Sequence, residues 1–155
     1  MVRAIVLALC MALLLTGCAK PAAEPPAPLE EPISLASFTF MARGMTMESI
    51  YSYTAEKAEN GTRLYLELNC GRDIIDVTAE EDVLGELGAI VAMYRLDTWN
   101  GFDKVNKWVS DGEGFTLRMT TADGQDIYAN GSNEFPVNYY EAREAIDLFF
   151  QKYVE

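Results

Sequence analysis

Five of the six prolines in this chain fall between Pro21 and Pro32, and that cluster decides where a fold can begin. Proline lacks a backbone donor and drives the residue before it into extended geometry, so residues 18–32 can form neither a helix nor an inner strand. At about 3.1 Å per residue, such a Pro/Ala-rich stretch is a semi-rigid tether with roughly 40 Å of reach. Folding is thereby confined to residues 33–155. That is about 120 residues, the size of a single globular domain with its own core.

The stretch before the tether has a different character. Residues 4–15 are an unbroken run of small and apolar side chains behind one charge, Arg3. The run is about 12 residues long, where a spanning helix needs about 20. A short apolar run behind a positive charge is the pattern of a secretory signal peptide, here residues 1–17. Its end, Leu15-Thr16-Gly17-Cys18, resembles the lipobox of bacterial lipoproteins at every position. The resemblance implies cleavage between Gly17 and Cys18, diacylglycerol joined to the Cys18 thiol as a thioether, and usually acylation of the new amino terminus. It implies the bilayer as a partner, reached through that lipid, with each buried acyl methylene contributing about 0.8 kcal/mol. Ala19 stands where an inner-membrane retention signal of the Gram-negative kind has Asp. The implied location is therefore the outer face of a Gram-positive membrane, or an outer membrane.

Charge narrows the function further. Of the 12 Lys and Arg residues only Arg3 lies in the leader, which leaves 11 against 24 acidic residues, a net charge near −13. So acidic a domain repels phosphate backbones and anionic head groups, which speaks against nucleic acid as a partner and against a basic membrane patch. Cys10 leaves with the leader and Cys18 takes lipid, so Cys70 has no thiol to pair with and no intrachain disulfide forms. Histidine is absent from the chain, which removes the commonest general base and the commonest metal ligand together.

Within residues 33–155 the apolar pattern alternates between two periods. Phe38, Phe40 and the segment 45–55 carry aromatic and β-branched residues; Asn60-Gly61 marks a turn; Leu64, Leu66 and Leu68 then alternate with polar neighbours. Together these read as a two- or three-stranded antiparallel meander. Thr78-Ala79-Glu80-Glu81 reads as a capping box, opening a helix whose stripe is Val83, Leu84, Leu87, Ile90, Val91 and Tyr94 and which ends near residues 95–97. Gly85 and Gly88 weaken that helix by about 1 kcal/mol each relative to alanine, and close packing on the sheet would account for them. Val105, Lys107 and Val109 alternate with Asn106, Trp108 and Ser110 as a strand, and Phe115, Leu117 and Met119 form another. A two-residue Asp123-Gly124 loop would split the apolar residues of the next hairpin between faces. A three-residue loop, 122–124, pairs Met119 with Ile127 and Leu117 with Ala129 on one face, with Gly124 left-handed. Asn138 caps a final helix striped with Tyr139, Ala142, Ile146, Phe149 and Tyr153. The expected fold is α+β: an antiparallel sheet of about five to six strands with two amphipathic helices packed on one face.

From Trp99 onward the chain resembles a module of uncharacterised lipoproteins and secreted proteins of Gram-positive anaerobes. The residues that carry the likeness are Trp99-Asn100-Gly101-Phe102, Asp111-Gly112 with Phe115-Thr116-Leu117, Asp123-Gly124, and Gly131-Ser132-Asn133 followed by Pro136. In that module an aromatic, often tryptophan, stands at the position of Phe115. The resemblance covers about 40 residues and implies no activity.

Candidate chemistry is sparse. Cys70 is the one thiol left to act as a nucleophile, with Arg72 close enough in sequence to lower its pKa, but without histidine a triad cannot be filled; the competing reading is a buried structural thiol. Asp111, Glu113, Asp123 and Asp126 surround two turns and offer oxygen ligands of the type calcium takes, yet acidic turns are ordinary and the calcium-hand loop is missing. Glu80 and Glu81 are explained as helix-start residues. No catalytic residue, metal or cofactor is therefore assigned. Trp99, Phe102 and Trp108 are the candidate binding surface, with the alternative that Trp99 and Phe102 close the end of the core. Trp108, on the strand reading, would neighbour Thr116 and Arg118. The expectation is a lipid-anchored, extracytoplasmic, non-enzymatic domain for an envelope protein or glycan. The alternatives are an envelope enzyme or inhibitor using carboxylates or Cys70, and a purely structural lipoprotein.

Overall fold

A computed structural model describes residues 24–154. The leader, Gly17 and Cys18 lie outside the described residues. The domain is α+β, one sheet with two helices. In chain order the elements are β1 (Leu35–Arg43), β2 (Tyr51–Ala58), β3 (Gly61–Leu68), β4 (Asp73–Ala79), α1 (Val83–Tyr94), β5 (Asp103–Val105), β6 (Gly114–Thr121), β7 (Asp126–Ser132) and α2 (Tyr139–Gln151). Seven strands form the sheet in the order β4-β3-β2-β1-β6-β7-β5. The expected antiparallel sheet of five to six strands is thereby corrected to a mixed one of seven: β5 runs parallel to β7, and every other pair is antiparallel.

Alternation decides which face is covered. Phe38 and Phe40 on β1, Tyr53 and Ala55 on β2, Leu64 and Leu66 on β3, Leu117 and Met119 on β6, and Ile127 and Ala129 on β7 are all buried. They form one cluster with Val83, Leu87 and Val91 of α1 and with Ala142, Ile146 and Phe150 of α2, so both helices pack on the same face. Each fully buried leucine or phenylalanine here contributes roughly 1.5–3 kcal/mol. Between those positions, Thr39, Thr54, Tyr65, Arg118 and Tyr128 point to the other, uncovered face. The β6–β7 register has Met119 opposite Ile127 and Leu117 opposite Ala129. The Thr121 N–H donates to the Gln125 carbonyl at 2.9 Å and Gly124 has φ 89°, so the loop is the three-residue one that the apolar pattern demands.

Four local expectations are corrected. First, β4 extends through Thr78 and Ala79, which pair with Arg63 and Thr62. Thr78 therefore cannot cap; Asp82 does, its Oδ1 accepting the Gly85 N–H at 3.0 Å. β4 was illegible because it is an outer strand, with side chains exposed on both faces and no half-buried alternation. Second, the strand expected over Val105–Val109 stops at Val105. The Asn106 side-chain oxygen accepts the Trp108 N–H at 3.1 Å, a local Asx bond that competes with a ladder. Third, Asn138 does start α2, and the Ala142 N–H donates to its carbonyl at 2.9 Å. Its side chain makes no capping bond, because the residue sits at φ 65°, a conformation asparagine tolerates.

The fourth concerns the tether. Its last residues are not free: the Leu29 N–H donates to the Ala92 carbonyl and the Ile33 N–H to the Gly88 carbonyl, both at 3.1 Å. Arg95 Nη1 donates to the Ala27 carbonyl at 3.1 Å. Residues 27–33 thus lie along α1. This explains Gly88, whose added methyl would stand 2.1 Å from the Ile33 carbonyl oxygen; Gly85 answers instead to the cap, since a methyl there would stand 2.1 Å from the Asp82 carboxylate that accepts its N–H. Neither glycine serves close packing on the sheet. Alanine is the better helix former by about 1 kcal/mol, but overpacking against backbone costs about 1–3 kcal/mol, and the docked segment must move as well. Gly88→Ala is therefore expected to lower stability, with faster amide exchange at Leu29 and Ile33; thermal unfolding and hydrogen exchange measure both.

Candidate binding cleft

The loops that carry Asp111-Gly112 and Gly131-Ser132-Asn133 meet at one end of the sheet. Loop 106–113, between β5 and β6, is held there by backbone: the Asn106 N–H donates to the Ser132 carbonyl at 2.9 Å and the Asn133 N–H to the Glu113 carbonyl at 2.8 Å. Asn133 Nδ2 donates to the Val109 carbonyl at 3.3 Å. Gly112 packs closely against this amide: a methyl group there would stand 1.7 Å from Asn133 Oδ1, and the Asn133 side chain would have to swing aside. Between loop and sheet lies a cleft of about 360 Å³, lined by Arg43, Asn106, Lys107, Ser110, Ser132 and Asn133 among others. The volume is at the lower end for small-molecule sites.

The floor is cross-braced. Arg43 Nη2 donates to the Phe115 carbonyl at 3.3 Å and to Asn130 Oδ1 at 3.1 Å. Asn130 also accepts from Thr116 Oγ1 at 3.2 Å and donates to Asp103 Oδ1 at 3.1 Å, tying β1, β6, β7 and β5 together. The far wall is tied to α2 by Arg143, whose Nη1 lies 3.3 Å from Glu113 Oε2.

The three aromatic candidates do not come together. Trp99 is 3% exposed; its Nε1 donates to the Val137 carbonyl at 3.2 Å and its ring meets Phe115 edge-on at 5.7 Å. Phe102 is half-buried against Phe115 at 6.2 Å. Both close the end of the core. Trp108 is 95% exposed and stands between Lys107 and Val109, which line the cleft. It is on a loop, so Thr116 and Arg118 are not its neighbours; Arg118 lies over the Tyr128 ring instead, at 5.6 Å.

The remaining candidates separate as well. Cys70 is exposed, not buried, on the β3–β4 turn where Asn69, Cys70 and Gly71 have successive φ values of 52°, 60° and 77°. Asp111 and Glu113 precede β6 and Asp123 and Asp126 follow it, so an eight-residue strand, about 25 Å at ~3.3 Å per residue, divides the acidic quartet. Asp123 accepts from Thr121 and Asp126 from Thr120. Among the described residues no group of three or more potential ligands is placed to hold a metal ion. Glu80 and Glu81 are exposed residues between β4 and α1.

The sequence reading did not find a half-buried cluster behind the cleft. Tyr51 donates to Asp147 Oδ2 at 2.7 Å and accepts from Arg143 Nε at 3.0 Å. Arg143 and Asp147 are one helical turn apart, and that i,i+4 spacing was the available signal. Asp147 Oδ1 is buried with no partner among the described residues. Burial accordingly holds this carboxyl above the usual aspartate range, with Tyr51 and Arg143 pulling the other way. Burial, and then Asp147, push the Tyr51 phenol up. A larger apolar groove of about 530 Å³ runs between the helices past Ile90, Met93 and Leu148, but it lacks the convergent polar groups that orient a ligand. Compared with family models, with curated proteins and with solved structures, the chain matches none.

The unfolded chain holds its aspartates near pH 3.9, so the folded form takes up the Asp147 proton first as pH falls. That contribution to stability grows as pH drops through the window above about pH 4, and is lost as pH rises through the raised folded value. Asp147→Asn keeps an acceptor for Tyr51 but cannot titrate. The stability of the native protein relative to this variant should rise as pH drops from about 7 to about 4.5, measured by urea unfolding at both ends of that range.

Proposed function

We propose that the protein is an extracytoplasmic lipoprotein whose domain binds a component of the cell envelope without transforming it. The lipid attachment is at Cys18, after cleavage from Gly17, and the partner on that side is the bilayer. Support for the anchor is the resemblance of Leu15-Thr16-Gly17-Cys18 to a lipobox. Among the described residues no helix is long and apolar enough to cross a membrane. With residues 27–33 laid along α1, eight residues lie between Cys18 and Ala27, and the nine steps they span reach about 30 Å at full extension.

The observation that carries the binding reading is Trp108. A large apolar ring held in water by a loop that is itself pinned to the sheet has no packing role. Exposed aromatics beside a rigid concave surface are typical of binding sites. The cleft supplies amides, hydroxyls and backbone groups, the polar lining that orients a small ligand. The reading is non-enzymatic because the chain has no histidine to activate a nucleophile, and Cys70 stands exposed on the β3–β4 turn. The net charge of the domain speaks for a partner other than nucleic acid.

Expressed in a bacterial host fed tritiated palmitate, the native protein should take up label and partition with membranes, while Cys18→Ser takes up none. An unlabelled native protein would remove the anchor from this account and leave the cleft untouched.

A further inference from the structure

We infer that the groove between α1 and α2 takes one acyl chain of the lipid on Cys18, keeping it from water while the protein is off the membrane. The inference rests on the lipoprotein reading and gives a function to a surface apart from the cleft. It begins with α1. Of its 12 residues only Glu86 is charged, and a helix apolar on every side is one that is covered on every side. Val83, Leu87 and Val91 meet the core, and Gly88 and Ala92 meet the tether. On the remaining side Ala89, Ile90 and Met93 stand across a groove of about 530 Å³ from Ala145, Leu148 and Phe149 of α2. Met93 is 56% exposed and Leu148 58%, so this side has no cover among the described residues.

The lining names the chemistry of the cover. Its two charged residues, Glu86 and Lys152, pair with each other at 2.9 Å, and the Lys152 ammonium also lies 4.7 Å from the centre of the Phe149 ring. No unpaired charge is left for an ionic ligand. A hydrocarbon chain needs none, and each methylene it withdraws from water contributes about 0.8 kcal/mol. Being neutral, it also escapes the repulsion that a second copy of a domain of net charge near −13 would meet. The source follows from where the tether leaves. The ion pair stands in the first turn of α1 and just past the end of α2. At the opposite end of α1, Met93 and Tyr94 line the groove immediately before Arg95, which holds the Ala27 carbonyl at 3.1 Å. From Ala27 to Cys18 is nine steps, about 30 Å at full extension, whereas α1 is only about 18 Å long. The Cys18 lipid is thus within reach of the groove along its whole length. Held on the same chain it has an effective concentration of millimolar order, an advantage that the acyl chains of separate bilayer lipids lack.

The test uses the mature chain, from Cys18 onward, which contains the whole described core. With Cys70→Ser its one thiol is Cys18, and N-hexadecylmaleimide then joins a single hexadecyl chain to that sulfur as a thioether. The chain is attached by chemistry and not by a host, so failure here leaves the lipobox reading standing, and failure of palmitate labelling in a host leaves this measurement intact. The alkylated protein should sediment as a monomer and unfold at least about 4 °C above the unalkylated one. Leu148→Glu and Met93→Lys place charges of opposite sign on the two walls, at positions already open to water. Both variants should unfold like the parent when unalkylated, which shows an intact fold. Alkylated, both should lose the thermal increment and self-associate through their uncovered chains. No increment in the parent, or an increment that survives both substitutions, overturns the assignment. An unalkylated parent that sediments as a dimer and is made monomeric by Leu148→Glu would give the groove to a second copy and overturn it. Binding of the unalkylated parent to phosphatidylcholine vesicles that Leu148→Glu abolishes, with no increment on alkylation, would give the groove to bilayer lipid and overturn it as well.

Discussion

The whole domain depends on β1 finding β6. The β1–β4 meander and the β6–β7 hairpin are each closed by short local turns, and only the β1–β6 ladder joins them into one sheet. It pairs Phe38 with Met119 and Phe40 with Leu117, residues about eighty positions apart. The entropy of closing such a loop must be met before any contact rewards it. The reward is burial: Phe38, Phe40 and Leu117 are fully removed from water, under a roof of two helices. Stacking of Phe150 on Tyr53 at 4.5 Å joins that roof to the meander. Tyr139 against Phe115 at 4.8 Å joins it to the hairpin.

The cleft follows from the same ladder. Once β1 lies against β6, Arg43 at its end reaches the Phe115 carbonyl and Asn130, and the floor forms. Once β5 lies against β7, Asn106 meets Ser132, and the loop that carries Trp108 is pinned. The strand that the alternation of Val105, Lys107 and Val109 suggests would have turned the indole onto the sheet. One Asx bond from Asn106 leaves it in solvent instead.

Much of the fold was legible because one-sided burial imposes a period. The stripes at Val83, Leu87 and Val91 and at Ala142, Ile146 and Phe149 are the helix faces found in the core. The choice between two loops for the β6–β7 hairpin could be made on paper, since a slip of one residue would have turned Met119 and Ile127 apart. What failed lacked that period. β4 is an outer strand whose Ile74 and Val77 are both exposed, and Thr78 had the chemistry of a cap without the place for one. The cleft was half legible: Asp111-Gly112 and Gly131-Ser132-Asn133 stood out as turns, but nothing local says that the two turns face each other. The cluster of Tyr51, Arg143 and Asp147 joins a strand to a helix more than ninety residues later.

The amino-acid sequence by itself determined the periods and most of the turns, because proline, glycine and alternating apolar side chains act through their own backbone and nearest neighbours. Only the tertiary structure decided which tryptophan is buried, where the tether's last residues lie and which loops share a wall. Those outcomes depend on groups brought together across the β1–β6 and β5–β7 ladders, and a buried ring differs from an exposed one by what packs on it.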